Sequence, residues 1–176
     1  MTKNVWTFGI IAGFISTIGF LLTMLYPDAI DMSIGMIYGY ASMLLAFSLI
    51  FVAIKNYRDK YNNGIISFGK AFRIGLYITL IASTIYVLVW LVDYYFFIGD
   101  EFMKEYAEYT RNNLIAEGAS QETIAANMKE MEEWAELYKN PFINAAITYT
   151  EIIWVGIVIS LIAAGILKRK SQHPTV

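Results

Sequence analysis

The sequence predicts an all-α polytopic membrane protein: four transmembrane helices, with an extracytoplasmic helical hairpin between spans 3 and 4. Three observations predict it. Four long stretches are free of charge or nearly so. The basic residues cluster in segments that an even number of spans places on one side. One acidic segment repeats its apolar residues at helical spacing. Of the 176 residues, 57% are hydrophobic and 16% are charged, with a mean hydropathy of +0.50. Soluble domains run at roughly 45–50% apolar and about 25% charged. The chain is too rich in aliphatic and aromatic side chains to be disordered. Its net charge of −2 gives no sign of a nucleic-acid binder.

The first span, at 5–26, follows from the 24 uncharged residues between Lys3 and Asp28. Its apolar run exceeds the roughly 7–15 residues of a secretory h-region, and Tyr26-Pro27-Asp28 offers no small-residue cleavage site, so it reads as an uncleaved span. The second span, at 32–54, follows from 23 uncharged residues between Asp31 and Lys55. The third, at 74–92, follows from 19 between Arg73 and Asp93. The fourth, at 142–167, follows from 28 residues between Lys139 and Lys168, interrupted only by Glu151. About 20 apolar residues cross the ~30 Å hydrocarbon layer as a helix. Lipid leaves the backbone no partners but its own, so helices are the natural solution. Soluble bundle helices would each carry a polar face, and these do not.

Orientation follows from the loops. Lys3, the segment with Lys55, Arg58, Lys60, Lys70 and Arg73, and the tail with Lys168, Arg169 and Lys170 all fall on one side. The opposite side receives Asp28, Asp31 and the segment from Asp93 to Lys139, which holds eleven acids and four bases. The positive-inside rule makes the first side cytoplasmic, with both termini. Aromatic belts fit this placement, with Trp6, Tyr57, Tyr61 and Tyr77 at the inner interface and Tyr26, Trp90, Tyr94 and Tyr95 at the outer.

The insert at about 100–139 is the one part with soluble character. Glu101 to Glu117 reads as a helix, stopped by Gly118. Ser120 is an N-cap, and Ile124, Met128, Met131, Ala135 and Tyr138 then recur at helical spacing. Asn140-Pro141 ends this helix and opens the last span. The insert is thus a helical hairpin, or an extension of the third span followed by a returning helix. Ten acids against four bases give it a charge of −6. Either that face attracts cations or a partner, or it is a solvated face whose apolar stripe packs on the bundle or the membrane surface.

Inside the membrane, Glu151 is the most informative residue. It lies nine residues past Phe142, about 13 Å of helix rise, where an acid normally faces protein or a wet cavity. Asn144, Thr148 and Glu151 share one stripe at i, i+4 and i+7, a candidate intramembrane polar site. Depth brings Thr17, Tyr38, Tyr40 and Tyr86 into range as partners. Two readings stand: a protonatable site for a coupling ion or cationic ligand, or a carboxyl hydrogen-bonded to Tyr or Thr that locks the bundle.

Small residues mark packing faces at Gly9 and Gly13, at Gly35 and Gly39, and at Gly156, Ser160 and Ala164. Packing within the chain is the favoured reading over dimerisation. Ahead of the third span, Phe68, Lys70, Phe72 and Arg73 form a candidate interfacial segment, a turn or short helix with rings at the acyl boundary and cations at headgroups. It serves as an anchor and topology signal, or as a docking site for lipid or protein.

Two runs carry a resemblance: GIISFGKAFRIGL at 64–76, followed by the long outer insert, and WVGIVISLIAAGILKRK at 154–170. In order and spacing, about residues 5–170 are similar to a family of small bacterial four-helix integral membrane proteins, domain of unknown function family 4199. The resemblance implies an integral inner-membrane protein and supplies no catalytic residue, cofactor or substrate.

The chain has no Cys and a single His, His173, so thiolate chemistry and Cys- or His-based metal sites have no foothold. No phosphate-binding loop, dinucleotide fingerprint, zinc-protease motif or nucleophile elbow occurs. No repeat relates the halves as in many transporters. The expectation is therefore no cofactor and no catalytic set. The favoured function is a non-enzymatic accessory or scaffold subunit of a membrane complex. Its partners are the lipid bilayer and a membrane protein or a second copy. The alternative is a small transporter or ion-coupled protein using Glu151.

Overall fold

The computed structural model describes residues 1–25 and 32–169. The turn with Asp28 and Asp31, the aromatic Tyr26, and the tail with Lys170 and His173 lie outside the described residues. The chain folds as α1 (Thr2–Ser16), α2 (Ile18–Leu25), α3 (Met32–Tyr61), α4 (Phe68–Asp93), a π-helical turn (Tyr94–Ile98), α5 (Gly99–Ala116), α6 (Gln121–Tyr138) and α7 (Pro141–Leu167). Among the described residues there is no strand, only a bridge between Ile66 and Arg169. Four segments are long and apolar enough to cross a membrane: Thr2–Leu22, Ser33–Tyr61, Phe68–Ile98 and Pro141–Leu167.

These four close into a ring in which α4 packs on α1 and α7, and α3 packs on the same two from the other side. Phe47, Ile50, Ile54, Ile74, Ile78 and Ile152 are fully buried at its centre. Phe14, Leu44, Leu88, Trp154 and Ile166 are each more than half exposed on its outside. Water would penalise so large an apolar exterior, and lipid does not.

Close helix approach explains the glycines. A methyl on Gly75 would lie 2.5 Å from Ser160 Oγ, and one on Gly156 would collide with the Thr79 side chain. On the other flank, Gly9 and Gly13 admit Ile81 and Ile85. These small residues thus pack within the chain, α1 and α7 each against α4. Gly39 differs: a side chain there would meet nothing within 4 Å.

Several boundaries differ from the expected ones, for physical reasons. The first span is broken at Thr17. Ser16 and Thr17 donate their hydroxyls back to Gly13 O at 2.7 Å and Phe14 O at 2.9 Å, which competes with the helical ladder. Ser42 of α3 then donates to the Ser16 carbonyl at 3.2 Å. Helix α3 runs past Ile54 to Tyr61, where Asn63 and Gly64 turn left-handed at φ 51° and 75°. Charge ends the hydrocarbon-crossing part but does not end a helix.

The Phe68–Arg73 segment is neither a turn nor a separate short helix. It forms the first turns of α4, because Ser67 caps that helix by accepting from Lys70 N–H at 3.3 Å. Trp90 and Tyr94, expected at the outer interface, are buried at 7% and 2% exposure. They pack with Met103, Phe102, Trp134 and Tyr138 in a second apolar cluster joining the end of α4 to α5 and α6. The insert's boundaries fall close to expectation. Gly118 turns at φ 74° after α5, Ser120 caps α6 and Asn140 caps α7.

One end of the bundle gathers both described chain ends and the α3–α4 connection. Asn4 donates to Ala53 O at 2.9 Å and accepts from Asn56 at 2.8 Å. Ile66 and Arg169 exchange backbone bonds of 3.0 and 2.8 Å, and Arg58 reaches Leu167 O at 3.3 Å. Lys3, Lys55, Arg58, Lys60, Lys70, Arg73, Lys168 and Arg169 accordingly share that end.

Candidate functional site

Polar side chains inside the spans fall into two groups, separated by the geometry of α7. Asn144, Thr148, Ile152, Gly156, Ser160 and Ala164 recur every four residues, and all are buried. At about 100° per residue, such a row drifts roughly 40° around the helix with each step. That is the line of contact between two helices crossing obliquely, ridge into groove. It carries α7 along α4.

Within this seam several polar groups find one another, although Asn144 Nδ2 has no hydrogen-bond partner among the described residues. The Trp90 indole N–H donates to Asn144 Oδ1 at 2.8 Å, and the Thr148 hydroxyl donates to the same oxygen at 3.3 Å. Deeper in, the Thr79 and Ser160 hydroxyls lie 3.4 Å apart, and Thr79 also donates to Gly75 O at 3.0 Å. Asn144 and Thr148 are thus brought together, both buried.

Glu151 is not part of that pair. It lies seven residues after Asn144, near the same azimuth. At its depth the contact line has moved on, leaving it about 60° from Thr148 and about 100° from Ile152. Its side chain is exposed on the outside of the bundle. The Tyr86 and Tyr138 phenols are its electrostatic neighbours, and Tyr40 acts on Tyr86 in the same way. Among the described residues no hydrogen bond reaches the carboxylate. Tyr138 lies outside the spans, at the end of α6. Burial pushes its phenol up to about 12, and the Glu151 carboxylate adds to the effect. Of the other partners expected from depth, Tyr38 is 49% exposed, and Thr17 is turned back onto its own helix.

Glu151 begins a row of four-residue steps along α7. Val155 and Ile159 continue its row inward at four-residue steps and pack against the core. On α3, Phe47 and Ile54 are fully buried, while Tyr40 at the same heptad spacing is 66% exposed. Tyr40 and Arg58 are eighteen residues apart, about five turns, and so share a face. Arg58 reaches Leu167 O of α7 at 3.3 Å. From Ser33 to Leu45 only Ser42 is buried, and it donates to Ser16 O of the first span.

By its charge, Asp93 limits the third span. It is 1% exposed, and neither carboxylate oxygen has a hydrogen-bond partner among the described residues. Depth alone does not mark it, because an acid at the end of an apolar run ordinarily reaches water. The signal is the aromatic run Tyr94-Tyr95-Phe96-Phe97, which carries the helix on through a π turn, a distortion common at functional sites. Tyr94 lies 5.5 Å from the Trp90 ring and 5.8 Å from Tyr138.

The expected interfacial residues sit at the basic end. Phe68 is 41% exposed, and its ring stacks 6.3 Å from Phe72, which packs on the core. Lys70 lies 5.0 Å over the Tyr57 ring and 3.4 Å from Asn62 Oδ1. Arg73 is exposed and bonds back to Gly69 O at 3.3 Å. Among the described residues no group of three or more acids or histidines could hold a metal ion.

Comparison with known proteins finds one family, described as "Protein of unknown function (DUF4199)", whose pattern matches residues 7–169. No curated protein and no solved structure matches the chain.

Proposed function

The chain belongs to the DUF4199 family of proteins of unknown function, and from that premise we propose that it is a non-enzymatic accessory subunit of a bacterial inner-membrane complex. Both termini and the α3–α4 connection face the cytoplasm, and α5 and α6 form an extracytoplasmic hairpin. The orientation rests on the collection of basic residues at one end, which the positive-inside rule assigns to the cytoplasm.

One observation carries the accessory reading. Asn144 Oδ1, Thr148, Thr79 and Ser160 pair within the seam between α4 and α7, while Glu151 is left exposed outside the bundle at membrane depth. A carboxylate facing hydrocarbon is costly and normally finds protein or water. A second protein surface supplies what this chain does not. An ion-coupled role for Glu151 would instead require a water path to it.

Copurification from native membranes at natural abundance tests the reading. The expected result is a stoichiometric complex with another membrane protein. Recovery only as a partner-free monomer would refute it. The absence of Cys makes orientation directly testable. Single cysteines at Thr2 and Asn63 should resist an impermeant reagent applied from outside, and one at Gln121 should react.

A further inference from the structure

We infer that the crevice between the first turns of α1 and α4 binds an anionic phospholipid, with an acyl chain between Trp6 and Tyr77 and the phosphate held by Arg73 and Lys3. Such a site is independent of any protein partner. The crevice has a volume of about 320 Å³ and an almost wholly apolar lining, with Thr2, Val5 and Trp6 of α1 on one side and Tyr77, Leu80 and Ile81 of α4 on the other. Small-molecule pockets begin at about 300 Å³. Gly9 and Gly13 bring α1 close against Ile81 and Ile85. One turn earlier in the same row stands Val5, and the crevice lies there. Trp6 and Tyr77 are 54% and 43% exposed, on the outside of the bundle where lipid lies.

Charge complementarity selects the occupant. Arg73 precedes Tyr77 by four residues, on the same face and about 6 Å nearer the basic end. Its Nε donates back to Gly69 O at 3.3 Å, which turns the guanidinium away from the hydrocarbon to headgroup level. Its two terminal nitrogens have no partner among the described residues. The register that sets Gly9 against Ile81 brings Lys3 level with Gly75, within about 3 Å of rise from Arg73. The acid near these bases in the sequence, Asp59, is taken by Arg58 at 2.6 Å, and Lys70 is turned to the Tyr57 ring and Asn62. Arg73 and Lys3 therefore flank an apolar crevice with no ion pair to an acid among the described residues. A phosphodiester supplies that charge and accepts an arginine fork, and its acyl chain fills the crevice. A second copy of this chain would bring the same bases to this end and be repelled.

The test uses the full-length chain, delipidated in non-ionic detergent and titrated with phosphatidylglycerol or with phosphatidylcholine of the same acyl chains. Mass spectrometry of the intact protein counts the lipids bound. The first phosphatidylglycerol is expected to bind about tenfold more tightly than phosphatidylcholine, the order that two basic side chains on one anionic headgroup supply. Arg73→Gln with Lys3→Gln should abolish the preference. Lys168→Gln, at the end of α7 across the ring from α1, should keep it. Thr2→Trp puts a ring into the crevice from the exposed start of α1 and should weaken both lipids, with helix content unchanged by circular dichroism. Inorganic phosphate in tenfold excess should displace neither. Equal binding of the two lipids to the unmodified chain would overturn the inference. So would a preference that survives loss of Arg73 and Lys3, or one that Lys168→Gln reduces as much, which would trace it to the diffuse charge of the basic end. Undiminished binding to Thr2→Trp would deny the crevice its acyl chain, and displacement by inorganic phosphate would make the site one for free phosphate; either result overturns the lipid site.

Discussion

Replacing Gly156 by Ala puts one methyl into the tightest crossing of the bundle. The new carbon would stand 2.6 Å from Thr79 Oγ1 and 2.9 Å from Thr79 Cβ, against ordinary contact from 3.4 Å. The deficit at Cβ is about half an ångström, and no rotamer change relieves it, because Cβ is fixed to the backbone. Helices α4 and α7 must part, which loosens the Thr79–Ser160 contact at the same layer. Overpacking of this kind costs about 2 kcal/mol, or roughly a thirtyfold shift in the folding equilibrium. Gly165 is the control: on the same helix, a methyl there meets nothing within 4 Å. Unfolding in mixed micelles, followed by fluorescence of the four Trp residues, gives both numbers. Gly156→Ala should lower stability and Gly165→Ala should not. Adding Thr79→Ala to Gly156→Ala should recover part of the loss, since two of the three nearest atoms are then gone. Equal stabilities for Gly156→Ala and Gly165→Ala would refute the close crossing.

Other outcomes follow from single groups. Trp90→Phe removes the donor to Asn144 Oδ1 while Thr148 remains, and should cost about 1–2 kcal/mol in the same assay; no change would deny that bond a structural role. Asp93→Asn removes no hydrogen bond and relieves a buried acid, so stability should hold or rise. A loss near 1 kcal/mol or more, about the worth of one hydrogen bond, would reveal a partner for the carboxyl. Tyr138 has a folded pKa raised above the ordinary phenol value, so its neutral form is favoured in the fold. Its contribution is fully present below about pH 10 and is lost as pH rises toward about 12. Tyr138→Phe should flatten the stability profile in that window and leave it unchanged at neutral pH.

How much of this could be read from the residues alone varies by element. The spans were legible because lipid excludes charge, so Lys3, Asp31, Arg73 and Lys168 bracket them. Helix ends were not legible from the same marks: Arg58, Lys60, Lys70 and Arg73 sit comfortably in helices that emerge from the hydrocarbon. The break at Thr17 was invisible, since Ser and Thr serve equally within helices and at their interruptions. In the candidate site, the four-residue spacing of Asn144 and Thr148 carried over into contact. The seven-residue spacing of Glu151 did not, because an oblique crossing follows steps of four. Trp90 and Tyr94 looked like belt residues by depth, and only the packing of α5 and α6 over them shows that they are interior. Asp93 looked like a boundary until the helix was seen to continue past it.

The basic end of the bundle is tied where separate parts of the chain meet, like a drawstring. Backbone bonds between Ile66 and Arg169, with Arg58 on Leu167 and Asn4 on Ala53, knot the first helix, the α3–α4 connection and the end of α7 together. Farther along, Ser42 on the Ser16 carbonyl fastens α3 to the first span a second time, so α3 is held at two levels rather than hinged at one.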